Sequence, residues 1–401
     1  MPATRRKIRP RAWRLALPPF AALFAGLALL LAAPLANAAA EDHFTPVAAA
    51  VLAAPEPVLG SDGRQHLEYE LILTNHAFPP TAVTVKRVQA LAAGGVVGSL
   101  SGARLAAVMR PFDSPVETGP KLNPGVAAWL LMDLSFPRGA KLPQRLVHRI
   151  EVAQRPPSKV SSTTYLAAPT RVSDRQALVV APPLSGPGWV VGNGCCAEPT
   201  SHRGGVLAIN GGLHNGERFA IDFFQLAPPG TVSVGPVDRL SSYPYFGAEV
   251  RSATAGKVVG VRAGLSDGPI DFELPPITAA DAGGNHVVVA VGGGRYAYYA
   301  HLQPGSIRVA VGDRVSVGEP LGLLGNSGNS NAPHLHFQLM DGPVPLATNG
   351  IPFRFSRFRA EGTLRNFAPA LVLGARARID PRPSGMRHGE LPLNNEVVGF
   401  D

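Results

Sequence analysis

The sequence predicts a mostly β protein in which a β-sandwich is followed by a second β-rich domain. The chain has 401 residues, 45% of them hydrophobic, which is enough to bury two cores. Short runs of alternating apolar and polar residues recur along the chain, and little of it shows helical periodicity. Glycine and proline separate nearly all of these runs, as expected for strands joined by turns.

The first 38 residues are typical of a secretory signal peptide. Six basic residues lie between positions 5 and 14, an apolar run follows at 15–33, and residues 36–38 (ANA) supply an A-x-A cleavage site. The apolar run has nearly the length of a membrane span, but Pro18 and Pro19 interrupt it, which favours cleavage over an uncleaved anchor. We therefore expect export to the periplasm, the cell envelope or the medium, with no stable membrane insertion after cleavage.

The net charge gives no indication of nucleic-acid binding. It is +9 for the whole chain, and it falls to +3 without the six basic residues of the signal segment, which holds no acidic residue. A mildly basic mature protein fits an anionic cell-wall substrate, and it fits an ordinary solvated surface equally well.

The two cysteines, Cys195 and Cys196, are neighbours and cannot join distant parts of the fold. A vicinal disulfide and two free thiols both remain open. Because no C-x-x-C spacing separates them, they are poor joint ligands for one metal ion.

Residues 44–153 are predicted to form an immunoglobulin-like β-sandwich. One half-buried strand is predicted where apolar and polar residues alternate, and a second follows the turn at Pro79 and Pro80. The first contains His66, Leu67, Glu68, Tyr69, Glu70, Leu71 and Leu73, and the second contains Val83 and Val85. Residues 154–188, rich in proline and serine, are predicted to be a linker, 189–358 the second β domain, and 359–401 an extended C-terminal tail.

Six of the eleven histidines lie between His202 and His336, inside the second β region. His334 and His336 are two residues apart, so on a strand both side chains project from one face into one site. Asp222 stands in an otherwise apolar strand, where a carboxylate needs a metal ion or an ion pair; Arg218 is a near candidate for the pair. Two imidazoles and one carboxylate, with a fourth position for water, are typical of catalytic zinc.

Two histidines compete as the remaining ligand. His214 is eight residues before Asp222, and His202 is twenty before it. A hairpin centred near Gly212 would set His202 directly opposite Asp222 on an antiparallel pair, and this geometry favours His202. His301, at the end of another predicted strand, is expected to act as a base or an oxyanion stabiliser beside the metal. His286 is expected to have a structural role.

Four further runs are similar to the central part of the M23, or lysostaphin-type, peptidases. They are residues 300–302 (AHL), 311–315 (VGDRV), 324–330 (LGNSGNS) and 333–337 (PHLHF), and the resemblance extends over about 194–342. It implies an antiparallel M23-type β-barrel or sandwich holding one zinc ion per chain. In that family pattern Asp222 and His336 are metal ligands, and His334 and His301 act on the water and the developing oxyanion.

The sequence departs from the common H-x-x-x-D spacing of this family. The run from Gly194 to Asp222 resembles a divergent branch in which His202 is the first ligand, in agreement with the hairpin argument. The expected activity is zinc-dependent hydrolysis of peptide bonds, with peptidoglycan or another peptide as substrate. The alternative is a catalytically inactive M23-like module that binds the cell wall or regulates another enzyme.

Overall fold

Two stacked antiparallel sheets form the first half of the molecule. The computed structural model describes residues 42–114, 118–154, 162–196, 199–228, 230–270 and 278–401. The elements of this half are β1 (Val47–Val51), β2 (Glu56–Leu59), β3 (Arg64–Asn75), β4 (Val83–Ala92), β5 (Gly95–Ser101), α1 (Gly102–Ala107), β6 (Met109–Pro111), β7 (Lys121–Leu122), β8 (Ala127–Pro137), β9 (Arg145–Gln154) and β10 (Thr163–Arg171). One sheet has the order β1-β3-β8-β6 with β2 on β3, and the other has the order β10-β9-β4-β5 with β7 on β4.

Alternating apolar residues fill the space between these two sheets. On β3, Leu67, Tyr69 and Leu71 are fully buried in a core that β4, β8 and β9 complete. The predicted sandwich is therefore confirmed as a fold.

The other face of β3 differs from the half-exposed surface that the alternation predicted. Glu68 is 1% exposed and Glu70 is 0% exposed. Both carboxylates are covered because this face packs against residues 199–218, where two arginines pair with them. The alternation of residues in one strand does not show whether its polar face is covered by water or by another part of the chain.

A twelve-stranded sheet dominates the second half. Its elements, with the short pairs beside it, are β11 (Leu178–Val180), β12 (Gly186–Gly192), β13 (Leu207–Ile209), β14 (Gly212–His214), β15 (Ile221–Gln225), a 3-10 turn (Leu240–Ser242), β16 (Glu249–Arg251), β17 (Gly256–Arg262), β18 (Asn285–Gly292), β19 (Arg295–Leu302), β20 (Arg314–Val315), β21 (Pro320–Leu323), β22 (Leu335–Met340), β23 (Gly350–Ile351), β24 (Phe353–Phe355), β25 (Phe358–Leu364), α2 (Phe367–Leu373), β26 (Ile379–Asp380), β27 (Gly385–Arg387) and β28 (Glu396–Phe400). The order is β20-β17-β18-β19-β22-β15-β12-β28-β25-β26, with β23 on β22 and β27 on β25.

One face of this sheet packs on an aromatic core. Phe223 of β15 lies edge-on to Phe400 of β28, and Phe337 of β22 packs against Phe353 and Phe355 of β24. Because side chains alternate along a strand, Asp222 and His336 point to the opposite face. The apolar packing thereby fixes the strands that carry the candidate site.

The predicted linker and tail both contain strands of these sheets. Within residues 154–188, β10 pairs with β9, and β12 begins at Gly186. In the predicted tail, β28 lies between β12 and β25. The prolines and serines at 155–162 obscured the alternation of β10, and five residues are too few to give β28 a periodic signal. The boundaries proposed for the domains otherwise stay a prediction.

Cys195 and Cys196 form a disulfide with each other, which decides between the two open states of this pair. The predicted signal segment, residues 1–38, lies outside the described residues. Within the part of the chain that the structure describes, no helix has the length and apolar character needed to cross a membrane.

Candidate metal centre

Three adjacent strands form the floor of the candidate site. In the register of β15 and β22, Asp222 is the direct partner of His336, and in that of β19 and β22 His336 is the partner of Ala300. His334, just before β22, shares the face of His336. His301 follows Ala300 with a left-handed backbone, φ 62°, a conformation in which non-glycine residues concentrate at functional sites.

His202 reaches the site from an irregular loop. The hairpin β13–β14 turns at Asn210 and Gly211 and pairs Leu207 with His214, so the predicted register of His202 opposite Asp222 is wrong. The partners of Asp222 across the sheet are Gly192 and His336. The loop nevertheless brings His202 Nε2 to within 3.2 Å of Asp222 Oδ2.

Asp222 is the centre of the cluster. Its Oδ1 lies 3.0 Å from His336 Nδ1 and 3.3 Å from His334 Nε2. One ligand atom each from His202, Asp222 and His336 lie within 4.8 Å of one another, and all three residues are buried. This arrangement of two imidazoles and one carboxylate fits a single zinc ion.

Hydrogen bonds to the second ring nitrogen orient each histidine. Nδ1 of His202 lies 3.1 Å from the carbonyl of Ala220; because a carbonyl only accepts, this nitrogen donates, and Nε2 is the nitrogen that faces Asp222. His336 has the opposite arrangement: its Nε2 donates to Oε1 of Gln338 at 2.8 Å, which leaves Nδ1 facing Asp222.

The two remaining histidines are held in the same way. Nδ1 of His301 donates to the carbonyl of Ser327 at 2.7 Å, and Nδ1 of His334 donates to the carbonyl of Ala332 at 2.8 Å. Their rings are close, with centroids 4.6 Å apart. In each ring the hydrogen bond at Nδ1 leaves Nε2 as the nitrogen available to the site.

Burial and mutual charge set the protonation of the cluster. Burial opposes ionisation of Asp222, but the charges of His202 and His334 outweigh it and hold its pKa well below the usual range. Burial alone would lower the pKa of His202, yet Asp222 raises it to about 9. Burial, with the charges of His334 and His336, lowers the pKa of His301 well below its ordinary value, so this ring is neutral at physiological pH.

Three side chains of the site were not found from the sequence. Gln338 orients His336, and Asn193 Nδ2 donates to Asp222 Oδ2 at 2.7 Å. Glu217 lines the same cavity and acts electrostatically on His202. Gln338 could have been recognised as the next residue on the H-x-H face of the strand. Asn193 directly follows β12, and no local sequence pattern marks it as part of the site.

The other two histidines of the region lie apart from the metal-binding group. His214 is on β14, and its Nδ1 is buried without a hydrogen-bond partner. His286 lines the cavity, where it donates from Nδ1 to the carbonyl of Gly284 at 2.8 Å and packs edge-on against Tyr298. Arg218, the predicted alternative partner of Asp222, pairs with Glu70 instead.

An open cavity of about 640 Å³ gives access to the cluster. Histidines 202, 301, 334 and 336 line it together with Asp222 and residues 343–346. Among the described residues, two further groups could supply metal ligands. One is His66, Asp133 and Cys196, and the other is Glu68, Cys195 and Cys196. Since the disulfide occupies both sulfurs, neither group offers a thiolate.

Residues 242–348 match the family model for peptidase family M23. This segment of the chain is similar to peptidase family M23. It includes His301, His334 and His336, whereas His202 and Asp222 precede it. The predicted resemblance is confirmed over these residues, and the mostly β fold agrees with it.

Three curated relatives are similar to parts of this chain. Glycyl-glycine endopeptidase ALE-1 of Staphylococcus capitis is 31% identical over 158 residues, which is 39% of this chain and 33% of the relative. Lysostaphin of Staphylococcus simulans is 30% identical over 157 residues, 39% of this chain and 24% of the relative. Peptidoglycan DD-endopeptidase ShyA of Vibrio cholerae is 42% identical over 75 residues, 18% of this chain and 17% of the relative. The chain thus matches a third or less of the length of each of these relatives.

Proposed function

We propose that this protein is an exported zinc endopeptidase that hydrolyses peptide bonds of peptidoglycan. The observation that carries the proposal is the convergence of His202, Asp222 and His336, all buried, at the base of an open cavity. The names of the three relatives, endopeptidases and lysostaphin, support the reaction class, and the name of ShyA supports peptidoglycan as the substrate.

His202 Nε2, an oxygen of Asp222 and His336 Nδ1 would hold one zinc ion. Bound there, zinc would lower the pKa of a water molecule toward neutrality and polarise the scissile carbonyl. Asn193 and Gln338 keep Asp222 and His336 oriented through their hydrogen bonds. The open cavity of about 640 Å³ gives a substrate access to these side chains.

His301 and His334 would move the proton and stabilise the developing oxyanion. His301 is neutral, and its protonated Nδ1 is held by Ser327, so its Nε2 can accept a proton from the attacking water. His334 Nε2 is the second base of the pair, 3.3 Å from Asp222. Once protonated, either ring donates a hydrogen bond to the oxyanion or to the leaving amine.

The first experiment measures zinc content by elemental analysis together with peptide release from purified peptidoglycan. We expect about one zinc per chain in the wild-type protein, loss of zinc in His202→Ala, Asp222→Ala and His336→Ala, and retention in the matched control His214→Ala. A wild-type protein without zinc, even after reconstitution, would favour the metal-free binding module. Bound zinc without peptide release would exclude peptidoglycan as the substrate.

A second experiment separates metal binding from proton transfer. His301→Ala should keep its zinc and lose roughly 10²- to 10⁴-fold in kcat, the usual contribution of a positioned acid or base. His286→Ala is the control, because His286 lines the same cavity and contacts Tyr298 rather than Asp222. Equal rates for His301→Ala and the wild type would remove His301 from the mechanism.

A further inference from the structure

The loop that carries His202 has little regular structure of its own. Between β12 and β15 the described residues form only the short hairpin β13–β14. Around His202 the backbone bonds are local turns, from Gly204 N to Thr200 O and from Gly205 N to His202 O. No ladder of the large sheet therefore fixes the position of this histidine.

Buried ion pairs join this loop to the N-terminal sandwich. Glu68 of β3 accepts a hydrogen bond from Nε of Arg203, the residue directly after His202. Glu70, two residues along the same face of β3, accepts from Nε of Arg218 at 2.8 Å. All four side chains are at most 4% exposed. Buried charges of this kind are held to one geometry because separating them leaves each without a partner.

The side-chain amide of Asn215 connects the two ion pairs. Nδ2 of Asn215 donates to Glu70 Oε1 at 2.9 Å and also to the carbonyl of Arg203 at 2.9 Å. The main chain of Asn215 is fixed from the other side by Asn349 and Gly350. Both ends of the loop are thus tied to the same face of the sandwich.

Apolar packing from the same sheet covers the middle of the loop. Trp129 and Leu131 of β8 form a buried cluster with Val206. Arg110 of β6 lies over the ring of Trp129 and donates to the carbonyl of Gly204 at 3.1 Å. In the register of β3 and β8, Leu131 is the partner of Glu70, so the charged and apolar contacts belong to one continuous surface.

We propose that the N-terminal sandwich is a structural part of the metal site, in which Glu68 and Glu70 are positioning residues that hold His202 against Asp222. The inference rests on the proposed function in that His202 is taken as a zinc ligand. It gives the sandwich a role inside the site. Without the two carboxylates, Arg203 and Arg218 lose these ion pairs and the loop loses two of its attachments.

The test measures the dissociation constant for zinc by competition with a chromophoric chelator in the purified protein. We expect Glu68→Gln and Glu70→Gln to bind zinc about 10- to 100-fold more weakly, the usual effect of removing a group that orients a ligand. The matched control is Glu390→Gln. Glu390 is also buried, but its ion-pair partner is Arg138, which lies outside the loop.

The melting temperature of the metal-free proteins separates positioning from general stability. We expect all three variants to melt below the wild type, with weakened zinc binding only in the two loop-anchor variants. If either of those variants does not fold, Arg110→Ala replaces it, because Arg110 is only partly buried and contacts the loop backbone. A smaller loss of zinc affinity is expected for Arg110→Ala.

The possible results distinguish failure of this inference from failure of the proposed function. Folded loop-anchor variants with wild-type zinc affinity, or an equal loss of affinity in Glu390→Gln, would overturn the inference and leave the proposed function intact. Absence of zinc from the wild-type protein would overturn the proposed function itself. Faster hydrogen exchange at residues 200–206 in Glu68→Gln than in Glu390→Gln would add direct support for a released loop.

Discussion

The candidate site has a strand half and a loop half. Asp222, His336 and His301 lie on neighbouring strands, and the hydrogen-bond ladder sets their spacing. His202 lies on a loop whose position depends on carboxylates from another part of the chain. The comparison shows that one site can combine geometry set by sheet register with geometry supplied by the N-terminal sandwich.

The largest expected effect is on the loop half. Glu70→Ala should lower the free energy of unfolding by about 3–5 kcal/mol, because Arg218 stays buried without a counter-charge. Urea unfolding measures this change. The control is Arg251→Ala, whose ion pair with Glu249 is partly exposed and should cost about 1 kcal/mol or less. Similar losses in the two variants would contradict a tightly held loop.

A second contact between the sandwich and the large sheet provides a pH test. Glu396 of β28 accepts from the hydroxyl of Ser61 at 2.7 Å, and burial raises its pKa from 4.5 to about 7 although that hydrogen bond opposes the rise. The folded state binds this proton more tightly than the unfolded state, so stability should fall as pH rises from 4.5 through 7, by about 3 kcal/mol.

Urea unfolding at pH 5 and pH 8 measures this dependence, with Glu396→Gln as the matched variant. The variant should lose less stability than the wild type between the two pH values. Parallel losses would show that Glu396 does not titrate in this range. Zinc affinity should not differ between wild type and variant at either pH, because Glu396 lies on another strand from the metal-binding group.

The smallest expected effect is on the strand half. Gln338→Leu removes the acceptor for His336 Nε2 and should weaken zinc binding about 10- to 100-fold, or about 1.4–2.7 kcal/mol. Gln338→Glu keeps an acceptor oxygen at this position and should bind zinc more tightly than the leucine variant. If the two variants bind zinc equally, the ladder alone orients His336.

Local patterns in the sequence were sufficient to predict the strand half of the site. The i, i+2 spacing of His334 and His336 and the apolar neighbours of Asp222 predict one shared face, and the structure has these three side chains on it. The strands of the sandwich follow from similar alternation. Each of these inferences depends on residues close together in the sequence, because the two-residue period of side chains along a strand is visible within one short segment.

The loop half depended on contacts that the sequence does not display. The hairpin argument favoured His202 through a register that the structure does not have, and the loop brings His202 to Asp222 by another route. Glu68 and Glu70 resembled a solvated strand face, because one strand does not show what packs on it. Long-range pairing between Glu68 and Arg203 leaves no periodic trace in either segment.

The position of β28 in the large sheet has a consequence for when the protein can fold. Trp189 of β12 pairs with Val398 of β28, and β25 pairs with the other edge of that strand. Nascent chains emerge in sequence order, so the sheet stays open between β12 and β25 until residue 400 has been synthesised. Pairing over such separations also slows folding, because distant segments must be brought together before their contacts stabilise the sheet.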